Sequence, residues 1–141
     1  MKPESAAFLR KAQEFLTKAS GMLDDWPDEA GRAAYLAGLH GAQALIVERT
    51  GKLIKRHRGV QRELAQLTKG EPGFDLELRA FLGRAYNLKA IADYETGEAQ
   101  VTPEQAREAI WTATRLVELI AKLLPPNSRP GRASDTPTLA G

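Results

Sequence analysis

The 141-residue chain contains no cysteine. A chain without thiols forms neither a disulfide framework nor a thiolate metal site, and it is compatible with a reducing compartment. No window approaches the run of about eighteen apolar residues that a membrane span requires. The charged N-terminus also lacks the continuous apolar run of a signal peptide. We therefore expect a cytoplasmic protein with no membrane association.

Neither sign of charge is in large excess. Twenty Lys and Arg residues oppose eighteen Asp and Glu residues, which gives a formal net charge of +2. So small an imbalance does not by itself indicate a nucleic-acid partner. The length suits one domain with its own core, which we place at residues 1–124. Residues 125–141 are rich in proline and poor in bulky apolar residues, so we expect a flexible, disordered C-terminal tail there.

Apolar residues recur at helical spacing along the rest of the chain, and no stretch alternates like a strand. Prolines and glycines divide this pattern into segments. Thr102, Pro103 and Gln105 form a predicted capping box, and Gly51 lies where a helix C-cap is expected. We predict an all-α fold, an up-and-down bundle of four long helices plus one short helix. The predicted helices are residues 3–23, 27–48, 59–68, 75–94 and 102–124.

The second predicted helix carries a stripe of small residues at Ala34, Gly38, Gly41 and Ala44. Each glycine costs up to about 1 kcal/mol relative to alanine inside a helix, so close packing of a neighbouring helix is the expected compensation. That neighbour belongs either to the same chain or to a second copy. A purely structural dimerising bundle is therefore one of the functions left open.

The strongest candidate site follows this helix. No carboxylate occurs between Arg49 and Arg62, so a positive surface is expected there. We call the segment from Arg49 to Arg58 the basic elbow. His57 is the candidate general base or acid, because imidazole titrates near neutral pH. Phosphate binding without chemistry, and an exposed histidine without a function, are the alternatives. The candidate phosphate or RNA ligands are Arg49, Lys55, Arg56 and Arg58.

Three segments together resemble the HEPN domain, specifically a small bacterial subfamily, over most of residues 5–122. The first is the helix YLAGLHGAQA, the second is the elbow sequence KRHRGV, and the third is the end of the fourth helix, KAIADY. The subfamily positions are filled here by Tyr35, Ala37, Leu39, His40, Ala42, Ala44, Lys55, Arg56, His57, Arg58, Gly59, Val60, Lys89, Ala92, Asp93 and Tyr94.

The resemblance implies a helical bundle that often forms a homodimer and is frequently encoded beside a minimal nucleotidyltransferase, as a toxin-antitoxin pair. Active members of the family cut RNA without a metal, so no cofactor and no metal ligands are expected. Their signature is an arginine followed after four to six residues by a histidine. No arginine stands at that distance before either histidine here. Lys52 is the nearest substitute, and we name it with His57 as the candidate catalytic pair.

Four further residues form a possible pocket, namely His40, Lys89, Asp93 and Tyr94. In this pocket the Asp93 carboxylate is expected to orient His57 or Lys55. The alternative is that Tyr94 is simply a tyrosine at a helix end, and no pocket forms. For His40, a hydrogen-bonded core histidine is preferred over a ligand, with Gln43 one turn later as its partner. Trp26 and Trp111 are expected in the core or at a dimer interface, because neither adjoins the basic elbow in sequence.

Overall fold

The computed structural model describes residues 1–94 and 100–126. The described chain forms five α-helices, which confirms the all-α prediction. Residues 95–99, which follow the fourth predicted helix, lie outside the described residues, and so does the predicted tail from residue 127 onward. The helices are α1 (Pro3–Met22), α2 (Pro27–Thr50), α3 (His57–Leu67), α4 (Leu76–Tyr94) and α5 (Pro103–Leu123).

The helix ends follow local sequence chemistry. Pro27 occupies the first turn of α2, where its missing N–H leaves no hydrogen bond unmade. Gly51 ends α2 in the left-handed conformation at φ 74°, as its position predicts. At α5 the capping box is confirmed, because Thr102 Oγ1 accepts from the Gln105 N–H at 3.1 Å. The Gln105 side chain accepts from the Thr102 N–H at 2.9 Å in return.

Helix α2 forms the centre of the bundle and contacts each of the other four helices. The start of α1 lies beside the end of α2, since the Lys2 N–H donates to Glu48 Oε1 at 2.9 Å. The ends of α2 and α5 lie together, since Arg49 Nη2 donates to the Leu123 carbonyl at 3.3 Å. The four long helices therefore alternate in direction, which is the predicted up-and-down arrangement.

The small-residue stripe of α2 receives side chains from three helices of the same chain. A Cβ added at Gly38 would overlap the ring of Phe81 from α4. A Cβ at Gly41 would lie 3.3 Å from Val117 Cγ2 on α5 and 3.9 Å from the Ala12 Cβ on α1. The stripe therefore packs against helices of the same chain, which is one of the two neighbours that the sequence analysis allowed.

Two sequence predictions need correction. The short third helix begins at His57 and not at Gly59, because the glycine remains helical and lets Ile54 pack against the first turn. For the two tryptophans the core is excluded, since Trp26 is 62% exposed and Trp111 is 65% exposed, and the predicted dimer interface is the alternative that stays open.

None of the helices in the described part of the chain is long and apolar enough to cross a membrane.

Candidate functional site

The basic elbow runs back along α2 after that helix ends. Near its start, the Lys52 N–H donates to Thr50 Oγ1 at 3.1 Å. Further on, the buried Gln43 side chain donates through Nε2 to the Ile54 carbonyl at 3.0 Å. At the far end, His57 lies beside Tyr35. The elbow is therefore a return segment that carries His57 to the N-terminal half of α2, a placement that the order of the residues alone does not reveal.

Two tyrosines hold the His57 ring. Tyr35 on α2 is only 2% exposed, and its hydroxyl is hydrogen-bonded to His57 Nδ1 at 2.8 Å. The ring of Tyr86 on α4 stacks on the imidazole with a centroid distance of 4.3 Å and an interplanar angle of 28°. The two tyrosine rings meet edge to face at 5.6 Å. Three helices thus fix the orientation of one imidazole.

The surroundings keep both hydrogen-bonded partners neutral at pH 7. Burial lowers the pKa of His57, and the neighbouring Arg58 charge lowers it further. A position in the first turn of α3 acts in the same direction, because the helix N-terminus disfavours a cation. Burial and the nearby Tyr86 raise the pKa of Tyr35 to about 12. When His57 Nδ1–H donates to the Tyr35 oxygen, the other ring nitrogen carries a lone pair that accepts a proton.

The cations nearest in sequence to His57 are open to solvent. Lys55, Arg56 and Arg58 are exposed, and within the described ranges no carboxylate lies within 4.0 Å of their charged groups. The elbow therefore keeps the positive surface expected from the sequence. In the described chain, the N-cap residue Arg56 makes no side-chain hydrogen bond to the first turn of α3. The N–H groups of that turn therefore add partial positive charge beside His57.

The predicted ligand Arg49 and the predicted catalytic residue Lys52 have their hydrogen bonds at the end of α2. Arg49 donates to the last turn of α5, and Lys52 lies beside Thr50 at the end of α2. These contacts fix the backbone of Lys52 and not its ammonium group, so the pairing of Lys52 with His57 stays a prediction. Lys52 also extends the line of exposed cations along the elbow.

Asp93 does not reach the elbow, contrary to expectation. Its carboxylate accepts from Lys89 Nζ one turn earlier on α4 and from Arg32 Nε at 2.9 Å. The reason is the antiparallel packing, which places the end of α4 beside the start of α2. Lys89 Nζ also lies 5.9 Å from the Tyr86 ring centroid, so this ion-pair cluster borders the His57 site. Tyr94, by contrast, is 77% exposed.

His40 lies on a different face of α2. Its ring is stacked between Phe8 and Phe15 of α1, at centroid distances of 5.9 and 5.6 Å. His40 Nδ1 donates to Gln43 Oε1 at 2.8 Å, and the amide of Gln43 donates onward to the Ile54 carbonyl. Burial lowers the pKa of His40. His40 thus supports the amide that holds the elbow against α2.

Sequence reasoning missed Tyr86 and Arg32 and did not give Tyr35 a role in the site. The available signal was the spacing of Tyr86, Lys89 and Asp93, which places all three on one side of α4. The apolar stripe of α4 drew attention to the opposite face. Nothing in the sequence indicated that the elbow would return far enough to meet that side.

A separate groove of about 320 Å³ opens between α4 and α5. Its walls include Phe81, Leu88 and Ala109, and its rim includes Arg84 and Glu108. It contains neither histidine. We therefore take His57 as the candidate functional site, because a lowered pKa, an oriented hydrogen bond and exposed cations coincide there.

Comparison with known proteins identifies the family of the chain. No group of three His, Cys, Asp or Glu side chains within residues 1–94 and 100–126 is placed to hold a metal ion. No curated protein matches the chain. The family model for the HEPN domain matches residues 5–124, a range that includes α2 to α5, all but the first two residues of α1, and His57. The HEPN family is generally associated with RNA and nuclease activity. The chain belongs to the HEPN domain family.

Proposed function

We propose that this HEPN protein acts on RNA at His57, as a metal-independent endoribonuclease. The observation that carries the proposal is the 2.8 Å hydrogen bond between Tyr35 Oη and His57 Nδ1. It fixes a neutral imidazole beside exposed cations, which is the arrangement that a general base for an RNA hydroxyl requires. Burial of Tyr35 keeps the phenol from ionising in competition with the histidine.

The reaction follows from these roles. His57 takes the proton of a ribose 2′-hydroxyl, and the 2′-oxygen attacks the adjacent phosphorus. The bond from phosphorus to the 5′-oxygen breaks, which leaves a 2′,3′-cyclic phosphate on one product. The protonated imidazole, or a water molecule, returns a proton to the departing 5′-oxygen. Cations of the elbow stabilise the negative charge that develops on the phosphate oxygens.

The arginines that we assign to this reaction do not stand at the sequence position of the signature arginine. The backbone of Lys52 is held at the far end of the elbow, so we assign charge stabilisation to Arg56 and Arg58, which flank His57 in the chain. Arginine also offers the paired N–H donors that match phosphate oxygens. Lys52 and Lys55 would contact neighbouring phosphates of a longer strand.

Cleavage of a single-stranded RNA in the presence of EDTA tests the proposal. We expect cyclic-phosphate ends from the wild type, none from an oligonucleotide with 2′-deoxyribose throughout, and a loss of about a hundredfold or more for His57→Gln. Gln66→Ala is the control, because Gln66 is an exposed residue of α3, the helix that begins with His57. Equal rates for wild type and His57→Gln would refute the catalytic role.

The second candidate is a binding module without turnover. It is favoured by the Tyr86 ring, which covers one face of His57, and by the absence of an arginine at the signature distance. This function predicts RNA or nucleotide binding that weakens with salt and with Arg56→Ala, but no cleavage at any pH. Binding without cleavage would select this candidate, whereas a complete lack of binding would exclude both.

We further propose that the chain is the toxin-like member of a cytoplasmic toxin-antitoxin pair, forms a homodimer and is neutralised by a minimal nucleotidyltransferase. The exposed Trp111 on α5 supports a subunit interface. Co-expression with such a nucleotidyltransferase should relieve growth inhibition by the chain. Sedimentation at micromolar concentration should give twice the monomer mass, and a monomer would rule out the homodimer.

A further inference from the structure

Tyr86 is the exposed residue of the cluster that it forms with Tyr35 and His57. Its side chain is 41% exposed, whereas the neighbouring Tyr35 is almost completely buried. A large aromatic ring on the surface loses the hydrophobic stabilisation that burial would provide. General base catalysis by His57 does not need Tyr86, because Tyr35 already orients the imidazole.

The contacts of Tyr86 define which part of its ring is occupied. One face lies against His57, and Tyr35 meets the ring edge to face. Lys89 Nζ lies 5.9 Å from the centroid, held by Asp93. With Lys89 over part of the ring, the Tyr86 side chain still keeps 41% of its surface exposed. It is rigidly placed, because its partners come from α2 and α3 as well as from α4.

We propose that Tyr86 is a stacking platform for one unpaired base of a single-stranded RNA. This inference rests on the proposed function and adds the substrate class. A base stacked on the exposed part of the Tyr86 ring, with Lys89 displaced toward its phosphate, would have its ribose and phosphates near the imidazole and the elbow cations. Base stacking on an aromatic side chain contributes about 1–3 kcal/mol per base and is tolerant of sequence.

The platform selects single strands over duplexes. In a duplex both faces of each base are already stacked, so a base reaches Tyr86 only after unstacking and unpairing. An unpaired base in a loop or tail has a free face. The exposed cations of the elbow, from Lys52 to Arg58, would contact the backbone of the same strand.

A shielding role for Tyr86 makes a different prediction. If the ring only limits the access of water to His57, its replacement changes the pKa of His57 but leaves RNA affinity independent of the bases. If the ring is a platform, its replacement removes the part of the affinity that depends on bases. The two roles are separated by comparing RNA with a sugar-phosphate strand that has no bases.

The experiment measures binding of a uridine hexamer and of the corresponding abasic ribose-phosphate hexamer by fluorescence anisotropy at low salt. We expect the full-length wild type to prefer the uridine hexamer by about tenfold. Tyr86→Leu should reduce this ratio several-fold, while Tyr86→Trp keeps it. Tyr94→Leu is the control, because Tyr94 is an exposed tyrosine of the same helix that makes no contact with the His57 cluster in the described part of the chain.

An unchanged ratio in Tyr86→Leu would overturn the inference and leave the proposed RNA function standing. Failure of the wild type to bind either hexamer would overturn both. Photocrosslinking of the wild type with 5-iodouridine RNA does not depend on the folding of any variant. The platform predicts a crosslink at Tyr86, and crosslinks confined to other aromatic residues would contradict it.

Discussion

At the scale of single residues, the site depends on the hydroxyl of Tyr35. Tyr35→Phe keeps the ring that packs against Tyr86 and removes the oxygen 2.8 Å from His57 Nδ1. We expect the bundle to stay folded, at a cost of about 1 kcal/mol. RNA cleavage should fall roughly ten- to a hundredfold, because an imidazole without this partner loses its fixed orientation.

Rates and histidine titration by NMR together test this expectation. Tyr35 positions His57 through a hydrogen bond, so the pKa of His57 should change in Tyr35→Phe along with the rate. Tyr94→Phe supplies the control, since Tyr94 is far more exposed than Tyr35. A Tyr35→Phe protein with normal cleavage and an unaltered His57 titration would show that the hydrogen bond has no role in function.

The pH dependence of cleavage belongs to the same scale. A general base works in its neutral form, and both burial and Arg58 lower the pKa of His57. The rate should therefore fall on the acid side only below the ordinary histidine value of about 6.5. Arg58→Ala removes the contribution of the Arg58 charge, so the pKa of His57 rises and the acid limb moves to higher pH. A pH-rate profile that moves to lower pH, or does not move, would contradict this assignment.

The residue types of the site were predictable, but several of their partners were not. The sequence indicated His57 and the exposed cations, because a carboxylate-free run is visible without coordinates. It could not indicate that Tyr35 would meet His57, since that contact needs the elbow to return along α2. It also misassigned Asp93, whose partners depend on the antiparallel packing of α2 and α4.

At the scale of helices, the contact between α2 and α4 is set by the absence of a side chain at Gly38. A Cβ there would overlap the Phe81 ring, so Gly38→Ala should push the two helices apart. Overpacking of this kind costs about 1–3 kcal/mol. Gly21 near the end of α1 has no atom within 4 Å of its added Cβ. Gly21→Ala should therefore stabilise the protein by up to about 1 kcal/mol.

Chemical denaturation of the two variants measures both effects against the wild type. The free energy of unfolding should fall in Gly38→Ala and rise in Gly21→Ala, although both variants carry the same glycine-to-alanine change. A Gly38→Ala variant as stable as Gly21→Ala would mean that α2 and α4 are not packed as closely as described.

The elbow is attached to α2 by the Gln43 side chain. Gln43→Met keeps the length of the side chain and removes the donor to the Ile54 carbonyl and the acceptor for His40. We expect a loss of about 1–3 kcal/mol, because both partners are left unsatisfied in a partly buried region. Hydrogen exchange should become faster around the first turn of α3, since the elbow no longer holds it in place.

Cleavage should decrease in Gln43→Met even though the residue makes no contact with His57 in the described structure. Gln66→Met, at the end of α3, is the matched control. Unchanged exchange at α3 in Gln43→Met would show that the elbow keeps its position without this amide.

The helices themselves were largely predictable, because proline, glycine and capping residues mark their ends in the sequence. Thr102 and Gln105 were assigned their roles correctly for that reason. The start of α3 was not, since Gly59 suggested a break where the structure uses it for close contact with Ile54. Local signals identify a helix end, but they do not tell whether a glycine is needed for its backbone or for its size.

At the scale of the whole molecule, the bundle brings three elements to one side of α2. The N-terminal half of α2 supplies Tyr35, the elbow delivers His57 at the start of α3, and α4 supplies Tyr86. The fold class followed from periodicity alone. This convergence did not, because each of the three residues lies more than twenty positions from the next in the sequence.

NMR chemical-shift mapping with a short single-stranded RNA tests the central claim most directly, since the whole 15.4 kDa chain is within reach of the method. We predict shifts concentrated at Tyr35, His57, Arg58 and Tyr86 and along the elbow toward Lys52, all weakening as salt is raised. Shifts centred on the groove between α4 and α5, or no shifts at any salt concentration, would contradict the assignment of RNA to His57.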